Sequence, residues 1–123
     1  MNKVRVLQNI CVLPGDGIGP EVVTQAVKTI KALREKYHNS WQLHYGIIGA
    51  CAIDATGNPF PDETFKLCNE SDAILLGAIG DPKYDNDPSA SVRPEQGLLA
   101  MRKSLGLYAN IRPIKIFKGL EHL

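Results

Sequence analysis

Apolar residues change their spacing several times along this chain, and each change marks an element. Val4 to Leu13 is dense in Val, Ile and Leu and stops at Pro14-Gly15, the pattern of a buried strand with a hard end. Pro14 to Glu21 then forms a loop that enters a helix. Pro20 suits the first helical position, where its missing N–H costs nothing, and Glu21 complements the positive helix end. Val22, Val23, Ala26, Val27, Ile30 and Leu33 recur at helical spacing, with Lys28, Lys31, Arg34 and Glu35 mostly off that face, so this helix is expected to end near Tyr37-His38-Asn39. Trp41 to Ile48 alternates loosely and reads as a second strand. Gly49 to Ala55 fits a short helix closed by Thr56-Gly57-Asn58-Pro59, and Pro61 to Asn69 fits another. Asp72 to Ala78 is a short, almost wholly apolar run, as in a parallel sheet covered on both faces. Gly80 to Pro94 has no hydrophobic period and contains Pro82, Pro88 and Pro94, which predicts a long loop, often a functional feature in a compact domain. A helix over Glu95 to Leu105, a strand over Leu107 to Ile111 and an apolar, basic run from Ile114 to Leu123 complete the pattern.

Strands alternating with helices predict an α/β architecture with a largely parallel sheet flanked by helices. The 123 residues suffice for one domain with a core. Net charge is +1 with both signs mixed, which points to neither nucleic acid nor an anionic membrane. Cys11, Cys51 and Cys68 form no C-x-x-C and fit reduced thiols in a cytoplasmic protein. Met1 to Arg5 makes a poor signal peptide, since Arg5, Gln8 and Asn9 break the apolar run, and no stretch is long enough to span a membrane.

Candidate chemistry gathers in two places. Gly15-Asp16-Gly17-Ile18-Gly19-Pro20 is a glycine-rich strand-to-helix turn. It lacks the dinucleotide fingerprint G-x-G-x-x-G, because Pro20 stands where the third glycine would allow close helix packing. It is either a tight turn only or a place where backbone approaches a ligand. Asp81, Asp85 and Asp87 lack the later glycine and glutamate of a calcium loop, so chance surface acids describe Asp85 and Asp87 better. The second place is Arg93 to Pro113. In a helix, Glu95, Leu98, Leu99 and Arg102 fall at i, i+3, i+4 and i+7, an acid, two leucines and a guanidinium along one face, with Arg112 ten residues beyond Arg102. Two arginines beside an apolar patch suit a dicarboxylic acid with a branched hydrocarbon tail, because a guanidinium grips a carboxylate through two parallel bonds. Taken singly, each arginine reads better as a surface cation making weak ion pairs. An arginine on an apolar face would need a partner, either Glu95 or a ligand carboxylate. His38, His44 and His122 show no ligand spacing, and no nucleophile motif or metal cluster is evident.

Val12-Leu13-Pro14-Gly15-Asp16-Gly17-Ile18-Gly19-Pro20-Glu21-Val22 resembles the N-terminal signature of the decarboxylating 3-hydroxyacid dehydrogenases, the family of isopropylmalate, isocitrate, homoisocitrate and tartrate dehydrogenases. Ala52-Ile53-Asp54-Ala55 with Gly57 and Pro59-Phe60-Pro61, Leu75 to Asp85, Arg93-Pro94-Glu95 with Gly97-Leu98-Leu99, and Arg102-Lys103 with Tyr108 to Pro113 are similar to its isopropylmalate branch. The resemblance runs over nearly the whole chain.

It implies the family's own α/β fold, distinct from the Rossmann arrangement and incomplete here, with 1–106 as the N-terminal part of a first domain and 107–123 as the start of a second. It implies NAD-dependent oxidative decarboxylation of 3-isopropylmalate to 2-oxoisocaproate, a step of leucine biosynthesis, in a cytoplasmic homodimer using magnesium or manganese. By position, Arg102 and Arg112 match the substrate-carboxylate arginines, Leu98 and Leu99 the isopropyl pocket, and Glu95 the acid near substrate and nicotinamide. Ile18, Asp81, Pro82, Lys83, Tyr84 and Asp85 match segments that approach the cofactor. Isocitrate-type members carry serine and asparagine where this chain has Gln96 and Leu98, which favours an alkyl substrate, and many members have glycine where Asp81 stands. Family members are much longer. A third arginine, a tyrosine, the catalytic lysine and the metal-binding aspartates are expected beyond Leu123, so the 123 residues alone are expected to be inactive and, with open sheet edges, poorly stable. A tartrate, malate or homoisocitrate dehydrogenase, or a non-catalytic assembly module, are the competing expectations.

Overall fold

The computed structural model describes residues 8–120. Val4 to Leu7 of the first predicted strand, the Met1–Arg5 start and Glu121 to Leu123 lie outside the described residues. The elements run β1 (Gln8–Gly15), α1 (Gly19–Tyr37), β2 (Trp41–Tyr45), α2 (Ala50–Thr56), α3 (Asp62–Asn69), β3 (Ala73–Ala78), α4 (Pro82–Asp85) and α5 (Pro94–Ser104).

The three strands form one parallel sheet in the order β2-β1-β3, as the alternating pattern anticipates. Ile10 pairs with Ala73 and Val12 with Leu75 on one side of β1, while Ile10 pairs with Leu43 on the other. Because successive strand side chains face opposite ways, β1 feeds two cores. Cys11 and Leu13 join Ile48, Phe60, Cys68 and Met101 on one face, and Val12 joins Val23 and Val27 of α1 on the other. Val22 and Leu33, expected on the apolar face of α1, are 55% and 38% exposed, so the buried stripe of this helix is narrower than its apolar residues suggest.

Gly19 sets how closely α1 lies on the sheet. A side chain there would meet the carbonyl of Pro14 and come within 2.8 Å of the Ala78 backbone nitrogen. The close helix packing that Pro20 cannot provide is provided one residue earlier. Helix α1 ends on His38 in the left-handed conformation, where its N–H reaches back to the helix carbonyls.

Two expectations are corrected. Gly80 to Pro94 is not wholly a loop: α4 stands inside it, with Pro82 in its first turn and the Asp81 carboxylate accepting from the Lys83 N–H at 3.0 Å. Leu107 to Ile111 is not a strand. It pairs with no other strand among the described residues, and Leu107 to Leu120 is exposed throughout. A β-prone run needs a neighbour to take its N–H and C=O groups, and the described sheet offers it none.

Candidate functional site

Three chain segments meet beyond the carboxyl ends of β1 and β3, the side of an open parallel sheet where ligands bind. They are the Gly15–Gly19 turn, the start of α2 and the segment after β3. Asp16 ties them together. Its carboxylate, 5% exposed, accepts from the backbone N–H of Ala50 at 2.8 Å, of Cys51 at 2.9 Å and of Gly80 at 3.0 Å. The first two donors belong to the opening turn of α2, whose unpaired N–H groups favour an anion. Sequence reasoning passed over Asp16 as part of a glycine loop. Its signal was an acid flanked by two glycines, a position that packs no apolar surface of its own.

The segment after β3 is held by a second acid. Asp54 accepts from Lys83 Nζ at 2.6 Å and from the Tyr84 hydroxyl at 2.7 Å. The Lys83 bond, then the Tyr84 bond, hold the Asp54 carboxyl below the usual carboxylate range. The same bonds raise the lysine and the tyrosine above their ordinary values. Arg93 donates to the Tyr84 carbonyl at 2.8 Å, closing the far end of the segment against the start of α5.

Helix α5 begins at Pro94, and Gln96 accepts from the Arg93 backbone N–H at 3.0 Å. Gly97 lies against the Pro59 carbonyl, which no side chain would allow. Pro94, Gly97 and Met101 are buried, so this stripe faces the core. Leu98 packs partly against the same core, whereas Glu95, Leu99 and Arg102 are exposed, Leu99 by 62%. The predicted four-residue face is therefore divided: Leu98 turns inward, and the acid, one leucine and the guanidinium share the open side. The Glu95 carboxylate reaches the segment after β3, its Oε1 lying 3.2 Å from where a Gly80 Cβ would stand.

Arg102 lines a cleft of ≈ 310 Å³ with Leu107, Tyr108, Asn110 and Ile111. Among the described residues it forms no ion pair with Glu95, and its side of α5 is open to water. Arg112 is exposed too, and the strand expected beside it is absent. Ile18 is exposed by 58% at the mouth of the first turn. Pro82, Lys83 and Asp85 are exposed, and Asp81 and Tyr84 are half-buried. Another cleft, ≈ 430 Å³, lies at the opposite end of β3 beside Asp72, Ala73 and Leu105, and shares Leu107 with the cleft at Arg102. No group of three His, Cys, Asp or Glu side chains among the described residues could hold a metal ion. No described helix is long and apolar enough to cross a membrane.

Residues 9–123 match the sequence profile of the isocitrate/isopropylmalate dehydrogenases. The chain belongs to that family. The 3-isopropylmalate dehydrogenase of Bacteroides fragilis strain YCH46 is 58% identical over 113 residues, which cover 92% of this chain and 32% of the relative. That of Bacillus subtilis strain 168 is 50% identical over 114 residues, covering 93% and 31%. Among solved structures, the apo β-decarboxylating dehydrogenase of Thermococcus kodakarensis superposes with a TM-score of 0.64 at 34% identity, over 83% of this chain and 28% of that one. The isocitrate dehydrogenase of Methylococcus capsulatus gives 0.62 at 29% identity, over 83% and 27%. The chain spans about a third of the length of the curated relatives it matches. The family is one of decarboxylating dehydrogenases, and the parallel sheet with its flanking helices is a piece of that fold.

Proposed function

We propose that this chain is the substrate-gripping N-terminal part of an NAD-dependent 3-isopropylmalate dehydrogenase. The observation that carries this reading is the open face of α5, along which Glu95, Leu99 and Arg102 are exposed in turn with Glu95 beside Gly80, in a chain whose relatives bear that name. Arg102 and Arg112 each bind a carboxylate of the substrate through paired N–H donors. Leu99, with the outer edge of Leu98, takes the isopropyl group and leaves water no polar partner there. This apolar lining speaks for an alkyl substrate over malate, tartrate or homoisocitrate.

The surroundings fit NAD on two counts: Ile18 offers exposed apolar surface, and the Glu95 carboxylate complements a pyridinium charge. Residues Asp81 to Asp85, with Ile18 and Glu95, are the ones that hold it. NAD, when bound, supplies the hydride acceptor. The described residues offer no metal site, so no step is assigned to magnesium or manganese, and no catalytic residue is assigned within the chain. The division into a first domain over 1–106 and the start of a second over 107–123 is supported by the end of α5 at Ser104 and the exposed run after it. Homodimeric assembly, a cytoplasmic setting and a role in leucine biosynthesis belong to the same proposal.

The test is a chimera in which residues 9–123 replace the matching third of the Bacteroides fragilis enzyme. NADH formation is compared for 3-isopropylmalate, malate, tartrate and homoisocitrate. Preference for 3-isopropylmalate is expected, and a preference for any of the others overturns the assignment.

A further inference from the structure

The segment Gly80–Asp85 contributes nothing to the buried core, and Pro82, Lys83 and Asp85 lie open to water. Its position depends on polar contacts. The Gly80 N–H on Asp16 fixes one end, and Arg93 on the Tyr84 carbonyl fixes the other. Between them Asp54 takes both side chains of α4 that can donate, Lys83 on one oxygen and Tyr84 on the other. Lys83 Nζ also lies 5.0 Å from the Tyr84 ring centroid, so ammonium, phenol and carboxylate close a triangle. Asp54 and Lys83 are 49% and 50% exposed, and an ion pair so open to water adds little to folding. What the triangle does supply is a fixed angle between α2 and α4. The other end of α2 is tied through Asp16 to the same segment, so α2 is a strut bonded to it twice.

We infer that Asp54 is a positioning residue that sets the Gly80–Asp85 segment for cofactor binding, acting through Lys83 and Tyr84 without touching the ligand. The inference rests on the preceding assignment of Asp81–Asp85 to NAD. With Asp54 removed, Lys83 and Tyr84 return to water and the segment keeps only its two end contacts. The bound geometry must then be selected from a wider set, and affinity falls while chemistry on the bound complex is spared.

The test uses Asp54→Ala, Asp54→Glu and Tyr84→Phe in the full-length chimera. NAD affinity is read by equilibrium titration, KM and kcat separately, and backbone order by hydrogen exchange at Lys83 and Tyr84. Asp54→Ala is expected to raise the Kd and KM for NAD about five- to tenfold, with kcat within about twofold. Exchange at Lys83 and Tyr84 should quicken while β3 and the thermal midpoint stay unchanged. Asp54→Glu should restore most of the affinity, and Tyr84→Phe should fall between. Unchanged NAD affinity in Asp54→Ala, or equal losses in kcat and stability that glutamate does not rescue, overturns the role. A parent chimera that binds no NAD overturns the preceding assignment and with it the cofactor role of Asp54. Unchanged exchange at Lys83 and Tyr84 would overturn the clamp itself.

Discussion

Asp16 and Gly80 stand 64 residues apart, yet the carboxylate of one accepts the backbone N–H of the other at 3.0 Å. The same oxygen takes the Ala50 N–H, and its twin takes that of Cys51. Asp16→Asn keeps the shape but turns an amide NH₂ toward one of these donors. It is expected to lower stability by about 1–3 kcal/mol, and Asp16→Ala by more, since an unmet buried donor carries its full desolvation cost. Urea unfolding checks this: the midpoint should drop with the slope unchanged.

Arg102 and Leu99 divide the proposed grip between charge and shape. Both are exposed, so neither Arg102→Lys nor Leu99→Ala should move the thermal midpoint appreciably. Arg102→Lys should lower kcat/KM for 3-isopropylmalate roughly 10- to 100-fold, the worth of a lost paired bond to a charged group. Leu99→Ala should narrow the preference for 3-isopropylmalate over malate by about tenfold. Steady-state kinetics of the chimera with both acids measure the two effects.

Cys11 and Cys68 face each other in the core with their sulfurs 3.7 Å apart. Burial, then the neighbouring Cys68, pushes the Cys11 thiol from 9.0 up to about 12, and burial raises Cys68 as well. A thiol raised on folding favours the folded state below its unfolded value and loses that contribution as pH climbs to the folded one. Stability is therefore expected to fall between pH 9.0 and about 12 as the unfolded chain alone gives up its proton. Near pH 8, iodoacetamide should label the half-buried Cys51 first and reach Cys11 and Cys68 only in denaturant, as read by mass spectrometry.

Gly97 decides where α5 can sit. Gly97→Ala gains up to about 1 kcal/mol of helix propensity. It also drives a methyl into the Pro59 carbonyl, and overpacking against backbone costs about 1–3 kcal/mol. A net loss in thermal midpoint is the expected sign, with a loss of kcat/KM alongside it because Glu95 and Arg102 ride on the same helix.

Periodicity carried far along this chain in its longer apolar runs. The apolar run ending at Leu13, the helix opened by Pro20 and the Asp72–Ala78 run all stand close to their expected places. Helix α4 escaped because four residues make no hydrophobic period, although Asp81-Pro82 carries the cap and first-turn proline that open a helix. Leu107–Ile111 misled because β propensity expresses fit to a half-covered pleated surface, and no such surface is offered to it. Glu95, Leu99 and Arg102 were legible as one face because helical spacing is local. That Leu98 packs partly on the core was not legible, because only the fold decides which side of α5 meets Phe60. Asp16 and Asp54 were illegible as anchors: their partners lie about 30 to 64 residues away.

The strand at the centre of the described sheet is the first of its three in chain order. Asn9 must wait for Asp72, 63 residues later, before the bond that registers β3 beside it can form. On a ribosome, α1 and β2 emerge well before that partner, so Val12 and Leu13 travel over some 63 residues of synthesis with one flank unpaired. Such non-local closure folds slowly and leaves an adhesive edge exposed meanwhile. The edge of β1 that β3 will cover therefore stays open until Ala78 has cleared the exit.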